Sequence, residues 1–157
     1  MTEPAATLAT LEGCATTHGL VALSYDCISG PASRPRPWER FLRLHAPGAR
    51  LVCLRNEPGE PLRTEVLSPE GYASSRDPLL RQVDFYETEV THHALVHGRV
   101  AQVSSGYEAR LSPDGPVRFA GFNSFQLVWS GNRWWIQATC WDGTAGHRVL
   151  AREGFAL

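Results

Sequence analysis

"GFNSFQLVWSGNRWWIQATCWDG", residues 121–143, decides the fold. Two largely apolar runs flank Ser130–Gly131–Asn132, a turn cluster, so the stretch predicts an antiparallel hairpin. It holds four of the chain's five tryptophans: Trp129, Trp134, Trp135 and Trp141. Strict alternation along the second strand puts Trp134, Ile136, Ala138 and Cys140 on one side and Trp135, Gln137, Thr139 and Trp141 on the other. The first strand divides in the same way, with Phe119, Asn123, Phe125 and Leu127 opposed to Phe122, Ser124, Gln126 and Val128. Aromatic bulk on both sides implies that both faces are covered. One tryptophan row is expected to fill the core and the other to serve a dimer interface or a pocket rim, because a monomer rarely exposes a large apolar patch.

Working outward, "DFYETEVTHHALVH" (84–97) and "RVAQVSSGYEARL" (99–111) read as two further strands, joined at His97–Gly98 and closed by the turn "SPDGP". "ARLVCLR" (49–55) and "LRTEVL" (62–67) flank "NEPGEP" and predict another hairpin. Helices come earlier. "TTHGLVALSYDCISG" (16–30) starts at Thr16 or Thr17 as cap and stops at Gly30–Pro31. In "PWERFLRLH" (37–45), Trp38, Phe41, Leu42 and His45 fall on one helical face, and Pro47–Gly48 ends the segment. "SPEGYASSRDPLLRQV" (68–83) predicts two short helical pieces broken near Asp77–Pro78. The expected organisation is a single domain over 1–157, with 1–15 and 143–157 as loose tails, the latter Gly-rich and irregular. Helices first and an antiparallel sheet second predict an α+β fold, the helices lying on one face of a curved sheet.

Hydrophobic residues make up 43% and charged residues 20%, an ordinary globular composition. Net charge is −1 with no basic footprint, so no nucleic-acid partner is expected. All 15 basic residues are arginine, which codon bias explains. Cys14, Cys27, Cys53 and Cys140 fit no zinc template and read as free thiols of a reducing compartment. No signal-peptide pattern and no long apolar run is present, so a cytoplasmic protein without membrane association is expected.

The segments "LSYDCISGPASRPRPWERFLRLHAPGARLV", "FYETEVTHHALVHGRVAQVSSGYEAR" and "GFNSFQLVWSGNRWWIQATCWD" together resemble the nuclear transport factor 2-like superfamily. The resemblance runs from about Leu20 to Asp142. It implies a cystatin-like cone, with N-terminal helices packed in the concave face of a strongly curved, mainly antiparallel sheet. It also implies a pocket at the open end of the cone and a homodimer. The superfamily hosts isomerases, dehydratases, epoxide hydrolases, polyketide cyclases and non-catalytic binders, so function must be argued from the site. In ketosteroid-isomerase-like members an aspartate base lies on the first strand after the second helix; Cys53 best matches that position here. The Asp–Arg–Asp set of epoxide-hydrolase-like members has no counterpart, since Asp84, Arg99 and Asp142 sit at strand ends.

Candidate catalytic residues are His92, Asp142 and Tyr107. His92 alternates with Val90 and Ala94 and can point inward as a base or polar anchor. Asp142 follows Trp141 near the expected cone mouth. Tyr25, Trp38, Phe41, Asn123 and Trp135 are candidate ligand-binding residues. Asn123 stands out, because in an otherwise apolar strand a buried amide must find partners. Glu87 and Glu89 share a face and are expected to be exposed. Glu89, His93 and His97 would line one side of a helix, but on a strand His93 and His97 stand about 13 Å apart at ~3.3 Å per residue, too far to share an ion. No metal and no cofactor is expected. The sequence thus predicts a small-molecule-binding protein with an apolar pocket. An isomerase, dehydratase or polyketide-cyclase type enzyme and a protein interaction module are the alternatives.

Overall fold

The computed structural model of the chain describes residues 11–155. The helices are α1 (Thr17–Ile28), α2 (Trp38–Arg43), α3 (Pro69–Leu80) and α4 (Thr144–Arg152). The strands are β1 (His45–Arg55), β2 (Arg63–Leu67), β3 (Tyr86–His97), β4 (Val100–Arg110), β5 (Phe119–Ser130) and β6 (Arg133–Asp142). They form one open six-stranded sheet in the order β2-β1-β6-β5-β4-β3. Only β1 and β6 pair in parallel; the other neighbours are antiparallel. Helices packed on one side of this sheet give the α+β cone.

The local signals explain most elements. Thr16 caps α1, its hydroxyl accepting from the Gly19 N–H, and Leu20, Val21, Tyr25 and Cys27 are buried. Ser68 caps α3 in the same way through Gly71. The expected break at Asp77–Pro78 is absent, and α3 is one helix. Pro78 lies in the last turn, where the helical bond it cannot make frees only the carbonyl of exposed Ser74, which water can reach. Asp77 ties this end down by accepting from the Trp38 indole and the Arg81 guanidinium, each at 2.7 Å. His45, placed by spacing on the second helix, instead opens β1.

Two irregularities decide which side chains face inward. Between β5 and β6 the register passes from Gln126↔Ala138 to Leu127↔Ile136, which leaves Gln137 as an extra residue. The bulge resets the alternation, so Trp134 and Ile136 face the core before it and Thr139 and Trp141 face inward after it. The two-row division of the tryptophans is therefore corrected. Trp135 stays on the other side but is covered within the chain. The Arg133 guanidinium lies 3.2 Å from its ring centroid, and its indole donates to the Ser130 carbonyl at 3.0 Å. The outer face mixes polar Gln102, Ser104, Ser124 and Gln126 with exposed Leu95, Val100 and Phe122. On β3 a second irregularity lies between Glu89↔Tyr107 and Thr91↔Gly106, with Val90 exposed. As a result Glu87, Glu89 and His92 all point toward the helices.

The main core joins α1, α2 and the sheet through Leu20, Leu44, Leu127, Ile136 and Trp134. A smaller cluster of Leu80, Val83, Phe85, Ala109 and Leu150 closes the opposite end. Leu150 belongs to α4, so the tail from 143, expected to be loose, is a packed helix as far as Arg152. Gly146 permits that contact: a Cβ there would stand 3.0 Å from the Phe119 ring. At the other terminus Leu11 and Cys14 are buried beside a 3-10 turn at Glu12–Ala15, while residues 1–10 of that expected tail lie outside the described residues.

Candidate functional site

The concave side of the sheet, α1, α3 and α4 enclose a cavity of about 310 Å³. Its walls are mostly apolar: Ile28, Phe41, Leu51, Phe119, Phe125, Ile136 and Trp141. Polar groups enter at two levels. Deep inside lie Glu87, Tyr25, Tyr107 and Asn123; nearer the β1–β2 end lie Arg55, Glu65, Arg76 and His147.

Glu87 is the central feature. Burial pushes its carboxyl up to about 8, with the Asn123 amide hydrogen bond pulling the other way. It is therefore a neutral carboxylic acid at pH 7 and can donate a hydrogen bond. Asn123 also donates to the Tyr25 hydroxyl at 3.0 Å, and Tyr25 is 2.7 Å from the Ser105 hydroxyl. Ser105 donates in turn to Glu89. Asn123 thus links the cavity acid to a polar line running behind it. Burial holds the Tyr25 phenol above its ordinary range, against the pull of Ser105 and Asn123, and burial also raises Tyr107.

Glu89 ends that line outside the cavity. Its Oε2 is 2.9 Å from His92 Nδ1, and His92 Nε2 is 3.2 Å from the Thr17 hydroxyl. If Nδ1 donates to the carboxylate, Nε2 is the acceptor and Thr17 the donor. His18 Nε2 lies 3.4 Å from Glu89 Oε1, an oxygen that is buried without a hydrogen-bond partner among the described residues.

The candidates from sequence divide accordingly. Tyr25, Phe41, Tyr107 and Asn123 meet at the cavity. Trp38 supports it from behind, edge-on to Phe41 and Tyr72 at 5.5 and 6.3 Å. His92 points inward but serves Glu89 and α1 rather than the cavity. Asp142 is exposed and accepts from the Thr144 N–H at 2.9 Å; the Thr144 hydroxyl first, and this N–H after it, hold its carboxyl below the usual range. Trp135 lines a separate shallow groove with Glu39, Leu42 and His45. Cys53 does face the cavity, but burial raises its thiol, which leaves it neutral and unactivated. Glu87 and Glu89 are not exposed as alternation suggested. Their shared face is the concave one, and the signal was available in principle, since each pairs with a β4 residue, Ala109 or Tyr107, of the buried row. Among the described residues no group of three or more His, Cys, Asp and Glu is placed to hold a metal ion. No described helix is long and apolar enough to cross a membrane.

No family model and no curated protein sequence matches the chain. Solved structures do. A nuclear transport factor 2-like protein with a cystatin-like fold from Novosphingobium aromaticivorans matches with a TM-score of 0.60 at 15% identity, over 93% of each chain. The fold is the nuclear transport factor 2-like, cystatin-like cone. A cystatin-like protein of unknown function from Nostoc punctiforme gives a TM-score of 0.60 at 11% identity, over 80% of this chain and 86% of its own. A nuclear transport factor 2-like protein of unknown function from Methylobacillus flagellatus gives 0.54 at 11%, over 86% and 92%. At these identities the likeness concerns the cone itself, so the chemistry must come from the side chains of this chain.

Proposed function

We propose that the cone binds a small, largely apolar organic molecule whose polar atom accepts a hydrogen bond from the Glu87 carboxyl. One observation carries this: a neutral acid stands in a cavity with aromatic and aliphatic walls. The volume falls at the lower end of the roughly 300–1,000 Å³ typical of small-molecule sites. Cysteine usage suggests the cytoplasm as its compartment. Native mass spectrometry of the purified protein, before and after mild denaturation, tests the proposal. A releasable small mass, or a thermal shift with compact apolar ketones, supports it. An empty protein indifferent to such a panel refutes it.

The protonation state of Glu87 favours a second reading, proton transfer of the isomerase, dehydratase or cyclase type. A carboxylic acid near neutrality can donate to a carbonyl oxygen or take up a proton in its ionised form. In this version Glu87 replaces His92 and Asp142 as the reacting group, and Tyr107 lines the same space. The test is deuterium exchange at the α-carbon of 2-tetralone in D2O, followed by NMR. Acceleration over buffer that disappears in Glu87→Gln supports catalysis; equal rates with both proteins leave binding alone.

A homodimer through the outer sheet face is also proposed, on the exposed Leu95, Val100 and Phe122. A monomeric mass by light scattering at micromolar concentration would exclude it.

A further inference from the structure

The β1–β2 end of the cavity has an unbalanced charge. Arg55 and Cys53 point into it from alternate positions of β1, with Glu65 of β2 opposite Cys53. Arg76 of α3 donates to Glu65 at 2.7 Å and lies 5.1 Å from the Tyr72 ring centroid, so its charge is already matched. Arg55 differs. Its Nη1 is 2.7 Å from His147 Nδ1, and a guanidinium can only donate, so that nitrogen is the acceptor of a neutral imidazole. No carboxylate lies within ion-pair distance of Arg55 among the described residues. The neighbouring Arg148 and Glu57 pair with each other at 2.9 Å and leave Arg55 alone. With Arg76 matched by Glu65 and the Glu87 carboxyl protonated, the lining carries one positive charge in excess, on Arg55.

We infer that the cavity ligand is an amphipathic monocarboxylate, its apolar body against Phe119, Phe125 and Trp141, its carboxylate on the Arg55 fork and a hydroxyl or carbonyl oxygen at its other end accepting from Glu87. This rests on the binding function proposed above and names the ligand class. A monoanion fits the single excess charge. A planar carboxylate also matches the fork geometry of a guanidinium. A dianion would meet Glu65 with its second charge. A neutral ligand would give the Arg55 fork no charge-assisted contact.

The test uses 6-hydroxy-2-naphthoate and its neutral isostere 6-hydroxy-2-naphthamide, titrated calorimetrically into the full chain. Naphthoate is expected to bind about tenfold more tightly, the scale of one partly desolvated charge-assisted contact. In Arg55→Met the preference should collapse to about twofold or less, through loss of naphthoate affinity alone. Glu65→Gln should act in the opposite direction, strengthening naphthoate severalfold and leaving naphthamide unchanged. This second variant guards against a trivial loss, since a misfolded protein does not gain affinity. Equal binding of both compounds to the wild type would overturn the inference while leaving the cavity a binding site. Binding of neither compound would overturn the binding proposal itself.

Discussion

Glu87 and Glu89 project from the same face of β3, two residues apart, into opposite surroundings. Glu89 gathers polar neighbours: the Ser105 hydroxyl, the His92 ring and the approach of His18. Glu87 receives one amide hydrogen bond and otherwise faces a largely apolar cavity that pushes its carboxyl up to about 8. The difference comes from what lies above each residue. The start of α1 covers Glu89 and supplies Thr17 and His18, whereas Glu87 opens onto the cavity that α3 and α4 help to enclose. One strand thus carries an acid that ties the fold together and an acid held protonated in a cavity. Placing a carboxyl where it cannot ionise readily costs stability, and such positions are where function is sought.

The largest expected effect breaks the comparison at Glu87. Its folded pKa lies above the unfolded value, so the native state holds the extra proton, and wild-type stability falls as pH rises from about 4.5 to about 8. Glu87→Gln should abolish that slope and be more stable than wild type by roughly 2–4 kcal/mol at pH 9, with little difference at pH 5. Urea melts at the two pH values measure this. A Glu87→Gln protein that tracks the wild type at both would mean that the carboxyl is well solvated.

His45 extends the comparison to a base. Burial lowers its imidazole to about 4, and its Nδ1 is 2.8 Å from the Phe41 carbonyl. Here the unfolded state takes the proton first, so stability falls as pH drops from about 6.5 to 4. His45→Gln should flatten this acid limb by about 2–3 kcal/mol between those pH values, at the cost of some packing at neutral pH. The same melts read it.

Smaller effects sharpen the Glu89 side. Ser105→Ala removes the donor to Glu89 and the partner of Tyr25 in one step, at an expected cost of about 1–3 kcal/mol. Combined with Tyr25→Phe it should cost less than the sum of the two, because the changes share one hydrogen bond. His92→Ala should cost about 1 kcal/mol and leave cavity binding unaltered. Loss of ligand affinity in that variant would move the functional boundary beyond Glu87.

The spacing of Trp38 and Phe41, the cap at Thr16 and the turns at His97–Gly98 and Ser130–Gly131 made most elements legible, because each depends on nearby residues. The bulge at Gln137 was not legible: nothing local marks an extra residue, yet it turns Thr139 and Trp141 from one face to the other. Glu87 was grouped with Glu89 correctly but set on the wrong side, since alternation says which residues share a face and not what covers it. The helix at Thr144–Arg152 was hidden by Gly146 within it and by Gly143 and Gly154 around it; Gly146 is there for the contact with Phe119 and does not mark a loop. Tyr25 and Asn123 were legible as polar groups in apolar segments, while an Arg55 with no carboxylate partner among the described residues emerged only once β1, β2 and α4 met.

The parallel pairing of β1 with β6 has a consequence for the order of assembly. Leu51 meets Thr139 and Cys53 meets Trp141, residues far apart in the sequence. Until β6 has been synthesised, the β1–β2 hairpin has no route into the sheet, and β3 to β5 have an unpaired edge where β1 and β6 will later lie. Contacts so distant in sequence slow folding and leave apolar surface exposed meanwhile. A chain stalled during synthesis just before Arg133 would therefore be a substrate for chaperones, with its core open along the whole length of the missing strand.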